Sequence, residues 1–200
     1  MSSVGGIQLT EFSLNDKETL AHWLSSDEWN NFANPRISFE TAVRWIERGG
    51  LHGDDKRTFW IEVEPQNKVG LIQLYDLLDA TAMFDIRINT RYRGLRIGRK
   101  ALNWLTQFVF ENYPGIIRLE ANTRQDNVAM RKVLLSCGYV KEAHYRAGWE
   151  SGESPLDWVD SVAYAILRYD WLNHTTTLVP WDDETGLRSS STITDESDLA

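Results

Sequence analysis

Arg91, Arg93, Arg96, Arg99 and Lys100 fall within ten residues, interleaved with Gly94 and Gly98, in a 200-residue chain whose formal net charge is −8. A strand that runs into a glycine-bearing turn and then opens a helix presents successive backbone N–H groups at the positive end of the helix dipole, which makes an anion site. The segment RGLRIGRKAL, residues 93–102, has that form. It is not a dinucleotide loop, because G-x-G-x-x-G is absent and no parallel βαβ alternation is read around it. Nor is it a Walker loop: Ala101 stands where a hydroxyl would hold magnesium. A second constellation precedes it. In AMFDIRI, residues 82–88, Asp85 and Arg87 share one face of a strand, opposite Phe84, Ile86 and Ile88. A carboxylate beside a guanidinium is expected to stay ionised with a depressed pKa, which favours an ion pair over a general base and leaves both roles open.

Composition removes other chemistries. A single cysteine, Cys137, forbids an internal disulfide, and His22, His52, His144 and His174 show no metal-ligand spacing, so no metal is expected. With 29 acids against 21 bases, nucleic acid is not an expected partner. No apolar run approaches the roughly 20 residues of a membrane span, and the opening MSSVGG lacks the basic and apolar regions of a signal peptide; a cytoplasmic protein is expected.

The elements that must position these groups can be read in order. Residues 7–10 open as a strand, Asn15 caps a helix over 16–24, and Ser38 caps a second helix carrying Ala42, Val43 and Ile46. TFWIEVE (58–64) and VGLIQLYD (69–76) form an antiparallel hairpin about PQNK, and residues 82–88 add a strand. Ile97, Ala101, Leu105 and Phe108 recur at helical spacing up to about Asn112. IIRLEA (116–121) is the next strand and NVAMRKVLLSC (127–137) the next helix, with Gly138 past its end. YVKEAHYR (139–146) and WVDSVAYAIL (158–167) complete the set. A domain over 1–174 and a Ser/Thr-rich tail over 175–200 are expected; from Asp182 onward the tail holds six acids and one arginine.

INTRYRGLRIGRKALNWL followed by NVAMRKVLLSCGYVKEA resembles the two signature motifs of the GNAT superfamily of acetyl-CoA-dependent N-acetyltransferases, in its RimJ/RimL-like branch. Arg93, Gly94, Gly98, Asn127, Gly138, Tyr139 and Asp160 occupy the branch's positions, and the resemblance covers about residues 7–171. It implies an α/β (α+β) GNAT fold: a mixed, mostly antiparallel central sheet flanked by helices, with splayed central strands forming the acetyl-CoA cleft. It also implies direct acetyl transfer to a primary amine, most directly a protein N-terminal α-amine. A small amine such as an aminoglycoside or polyamine, and a non-catalytic acyl-CoA-binding module, remain alternatives. Homodimers are common in that branch, so a homodimer is a further expectation.

Site residues follow from the resemblance. Ile86, Arg87 and Ile88 would line the pantetheine arm. Arg93, Gly94, Leu95, Arg96, Ile97, Gly98 and Arg99 would hold the phosphates, and Asn127 would cap its helix and bond the arm. The family's middle turn glycine is Arg96 here, and its usual proton-donating tyrosine is Leu134, with Ser136 or Cys137 as substitutes. Asp85 is the candidate base, with Glu120 an alternative and Asn122 a water or substrate orienter. Asp160 is expected to be structural. SSDEWNNFANPR and GWESGESPLD would cover the cleft, Trp29, Phe32, Trp149, Glu150 and Glu153 recognising a cationic amine.

Overall fold

The computed structural model describes residues 2–4, 6–32, 34–63, 67–150 and 157–181. Its eight strands are β1 (Ser2–Val4), β2 (Ile7–Glu11), β3 (Arg57–Glu62), β4 (Lys68–Tyr75), β5 (Thr81–Ile88), β6 (Arg118–Arg124), β7 (Val140–Glu150) and β8 (Trp158–Leu167). They form one sheet in the order β1-β2-β3-β4-β5-β6-β8-β7. Every neighbouring pair is antiparallel except β5 and β6. The helices are α1 (Lys17–Ser25), α2 (Phe39–Glu47), α3 (Ile97–Asn112), α4 (Val128–Ser136) and α5 (Arg168–Asn173).

Alternation along the central strands feeds two cores, one on each face of the sheet. Phe59, Ile61, Ile72, Leu74 and Phe84 pack with Ile97, Ala101, Leu105 and Val109 of α3 and Leu134 of α4. Trp60 and Leu71, from the opposite face, pack with Leu20 and Leu24 of α1 and Ala42 and Ile46 of α2. Strands covered on both faces read as nearly continuous apolar runs, which is why β3 and β4 lack clean alternation in the sequence.

The connection β5–α3–β6 is a parallel crossover, so one βαβ unit does surround the glycine turn, correcting the sequence reading. The strands of that unit diverge. They pair at Thr81↔Arg118, Ala82↔Leu119 and Met83↔Glu120, beyond which residues 84–88 keep β4 on one side only. The Asn89 N–H donates to the Val69 carbonyl at 2.9 Å. Antiparallel alternation then turns the backbone groups of Asp85 and Arg87 toward β4 and those of Ile86 and Ile88 into the gap.

Local signals mostly act where the sequence puts them. The Ser38 hydroxyl accepts from the Thr41 N–H and caps α2. The first helical segment departs from expectation, since Ser13 caps a short 3-10 turn, Leu14–Asp16, and Asn15 lies inside it. Ser13 has the extended backbone of a cap and a hydroxyl within reach of the Asn15 N–H. Helix α5 was not anticipated. It begins at Arg168, whose guanidinium donates to the carbonyls of Phe110, Tyr113 and Ile116, satisfying acceptors at and beyond the end of α3. Asp170 then accepts from the Thr175 hydroxyl and the Thr177 N–H and hydroxyl, so the chain stays tied to the domain past residue 174. The acidic stretch 182–200 lies outside the described residues.

Candidate active site

The splay between β5 and β6 opens a cavity of about 700 Å³ that passes from one face of the sheet to the other. Its wall on the α3 and α4 face is built from the glycine turn. Arg93, Gly94, Arg96, Gly98 and Arg99 line it, joined by Lys132 from α4. A Cβ placed on Gly94 would meet nothing within 4 Å and one on Gly98 only the Val133 Cγ2 at 3.9 Å, so the turn is an open cradle. The N–H groups of the first turn of α3 have no partner inside the helix and lie at its positive end.

Arg96 explains how the turn forms without its middle glycine. It caps α3 in the left-handed conformation, φ 62° and ψ 11°, which glycine adopts freely and which costs an L-residue about 1–2 kcal/mol. The left-handed turn therefore forms without glycine, and Arg96 itself lines the cavity. Arg93 is anchored by its Nε, which donates to the Ile88 carbonyl at 3.0 Å.

Asn127 caps α4 by accepting from the Met130 N–H at 3.2 Å, and its amide donates to the Thr123 hydroxyl at 3.0 Å. One amide hydrogen remains available toward the cavity it lines. Cations, the second amide hydrogen of Asn127, a cavity in the range of cofactor sites, the exposed backbone of Ile86 and the N–H of Ile88 together fit a long, multiply phosphorylated thioester such as acetyl-CoA.

The opposite end is differently made. Asp85, Tyr75, Asn122, Asn31, Phe32 and Trp149 meet there. Burial holds the Asp85 carboxyl above the usual carboxylate range, against the opposing pull of Arg87, whose Nη2 lies at 3.4 Å. The direction expected from the Asp85-Arg87 pairing is therefore reversed, because desolvation outweighs one ion pair at 3.4 Å. Tyr75, across the strand pair on the same face, is pushed up to about 12 by burial and by the charges of Asp85, Asp76 and Glu120. It stays a neutral O–H donor. The sequence reading missed it because β4 is buried along most of its length.

Trp149 reaches the cavity through a bulge in β7. The register against β8 shifts between Tyr145 and Trp149, and Ala147 takes a φ of 48°. Asp160 fixes that bulge, accepting from the Ala147 N–H at 2.9 Å and bonding His144 Nε2 at 2.7 Å. The Ala147 N–H and His144 hold its carboxyl below the usual range. A Cβ on Gly148 would come within 2.7 Å of the Tyr145 Cβ, so the bulge also depends on that glycine.

Other sequence candidates fall elsewhere. Trp29 is fully buried in the core, its indole donating to the Leu24 carbonyl at 2.8 Å. Leu95 is exposed and Glu150 lies on the exposed end of β7; neither lines the cavity. Arg87 turns its side chain away from the main cavity, over the Phe32 ring at 3.8 Å. Glu120 is held by Arg118, which also binds Glu142. Ser136 lines the cavity at the far end of α4, its hydroxyl donating to the Val133 carbonyl, while neighbouring Cys137 faces the Arg99 carbonyl. It therefore sits with the phosphate-binding groups and apart from Asp85. Leu134 is fully buried and offers no proton donor. Glu153 lies outside the described residues.

Comparison with known proteins agrees with this geometry. The family model described as acetyltransferase (GNAT) domain matches residues 7–140. Among solved structures, a spermidine N-acetyltransferase chimera from Vibrio cholerae and hSSAT superposes with a TM-score of 0.73 at 20% identity, covering 84% of this chain and 99% of that one. The Vibrio cholerae spermidine N-acetyltransferase in complex with CoA and spermine gives 0.70 at 19% identity, covering 85% and 100%. Among curated proteins, none matches. With the split sheet, the glycine turn at the head of α3 and the capped α4 all in place, the chain belongs to the GNAT acetyltransferase family and is an N-acetyltransferase.

Proposed function

We propose that the protein acetylates the α-amine of a peptide or protein N-terminus in the cytoplasm, in the manner of the RimJ/RimL-like branch, without a metal. The observation that carries this reading is the through-sheet cavity, cationic at the glycine turn and carrying a half-buried carboxylate at its other mouth. Bound acetyl-CoA would supply an activated acetyl group as a thioester. Arg93, Arg96, Arg99 and Lys132 would hold its phosphates, and Asn127 and the backbone of Ile86 and Ile88 its pantetheine arm.

Asp85 receives the proton that the ammonium form of the acceptor must lose before its nitrogen can attack, a task that its raised pKa assists. The Ile86 N–H, pointing into the gap, polarises the acetyl carbonyl, and the Tyr75 hydroxyl donates toward negative charge as it develops. Asn122 holds the acceptor or a water at the mouth; its amide is steadied by Glu120 at 3.1 Å.

A second reading, acetylation of a small polyamine, is favoured by the likeness to spermidine N-acetyltransferases, one of them in complex with spermine. Release of free CoA thiol from acetyl-CoA, followed against peptides with varied N-termini and against spermidine, separates the two. Turnover of peptides alone is expected. Turnover of spermidine alone would establish the second reading, and silence on both would place the acceptor outside both classes.

A further inference from the structure

A second cavity of about 310 Å³ adjoins the first at Asp85, sharing the side chains of Phe32, Asp85 and Trp149. Its remaining wall is Arg87, Asn34, Thr41, Ile37 and Trp45, so it is a largely aromatic chamber with two neutral polar side chains beside the candidate base. Two of its wall residues carry buried donors without hydrogen-bond partners among the described residues: Arg87 Nη1 and Trp149 Nε1. The Arg87 side chain is only 11% exposed, and its one ion pair, to Asp85, uses the other terminal nitrogen. Buried donors left unmatched are costly, and the cost is recovered when a ligand brings an acceptor atom.

The charge pattern is equally selective. Asp85 is the one carboxylate on the described wall of this chamber, and Arg87 faces it. The acids of the neighbouring loop are engaged elsewhere: Asp27 accepts from the Thr90 N–H and hydroxyl, and Glu28 pairs with Arg36. Nothing among these residues would neutralise a second or third ammonium group, whereas a guanidinium repels one.

From this we infer that Arg87 and Trp149 form a receptor for a carbonyl or carboxylate oxygen adjacent to the acceptor amine, with the chamber between Phe32, Trp45 and Ile37 taking the substituent on the same carbon. The inference rests on the proposed acetyl transfer at Asp85 and adds a specificity rule to it: α-amino carbonyl compounds are substrates, and amines of similar size lacking the carbonyl are discriminated against. A buried site built to hydrogen-bond one polar group rejects analogues that lack it far more strongly than an apolar pocket rejects a missing methylene.

The test compares kcat/KM for alanine amide with that for sec-butylamine, in wild type, Arg87→Gln and Trp149→Phe. With each kcat/KM expressed per neutral amine, the wild-type ratio is expected to exceed about 100, falling at least tenfold in Arg87→Gln and about fivefold in Trp149→Phe, which removes the N–H together with part of the indole ring. A wild-type ratio near one, or a ratio unchanged in both variants, would overturn the receptor. If Arg87→Gln fails to fold, Trp149→Phe alone decides. If wild type acetylates neither amine, acetyl transfer at Asp85 is what fails. Equilibrium binding of alanine amide to the CoA-loaded protein then judges the receptor by itself, with weaker binding to Trp149→Phe supporting it and equal binding overturning it.

Discussion

The two mouths of the cavity are made in opposite ways. The phosphate-facing wall comes mainly from one contiguous stretch, residues 93–99, and its strength lies in backbone N–H groups and cations held by a turn. The acceptor-facing wall is collected from a loop before α2, from β4, β5 and β6, and from a bulge in β7. A contiguous wall keeps its shape when a single side chain is lost, because the backbone carries that shape. An assembled wall depends on each residue that sets a register. Damage to the two walls should therefore appear in different kinetic constants.

The largest separation is expected from Asp85→Asn. Removing a general base typically costs about 100- to 10,000-fold in rate, while affinity for acetyl-CoA should stay within about twofold. The pH dependence sharpens this. Because the folded-state pKa of Asp85 is raised, the wild-type kcat/KM should climb through an acid limb lying above the ordinary carboxylate range, and the limb should vanish in the variant. Stability follows the same sign. A carboxylate with a raised folded-state pKa destabilises the fold once pH rises through that pKa, so Asp85→Asn should unfold at the same or higher temperature than wild type at neutral pH.

Arg96 probes the other wall with two substitutions of opposite virtue. Arg96→Ala keeps the left-handed strain and loses the cation, so acetyl-CoA affinity should fall about tenfold and depend less on salt. Arg96→Gly also loses the cation but relieves the strain, raising stability by about 1 kcal/mol with the same loss of affinity. Calorimetric binding and thermal unfolding read the two effects separately. An Arg96→Ala protein that binds acetyl-CoA as wild type does would show that the guanidinium points to solvent.

The smallest effect tests the bulge. Gly148→Ala should raise the KM of the acceptor several-fold while leaving that of acetyl-CoA unchanged, because it displaces Trp149 and touches nothing on the turn. Lowering the pH should act in the same direction. Asp160 has a depressed folded-state pKa, so its hold on Ala147 is complete above the ordinary carboxylate pKa and is lost as pH falls through the lower folded value. Acceptor KM followed from neutral to acid pH in Asp160→Asn and wild type checks this.

The same contrast decides how much could be read from the sequence. The glycine turn, α3 and α4 are legible because each is a local pattern: cations around glycines, apolar residues at helical spacing, an Asn cap before a helix. The sheet is also legible, apart from β1 and the crossover character of β5–α3–β6, which depends on strand direction that no local pattern records. The acceptor wall is not. Trp29 and Phe32 lie three residues apart in one loop, yet one fills the core and the other lines both cavities. Composition gives no means to separate them. Trp149 owes its position to a register shift, and Trp45 to a helix whose outward face looked like any other. The pKa of Asp85 went the opposite way from the sequence expectation because burial is set by elements distant in the chain.

The central claim is that one cavity joins two independent functions, phosphate binding at the turn and proton removal at Asp85. Titrating acetyl-CoA into Arg96→Ala and Asp85→Asn side by side tests it most directly. The account predicts about tenfold weaker binding to the first and near wild-type binding to the second, which should nevertheless turn over its acceptor about 100- to 10,000-fold more slowly. Wild-type binding to Arg96→Ala, together with weakened binding to Asp85→Asn, would place the phosphates away from the turn and contradict it.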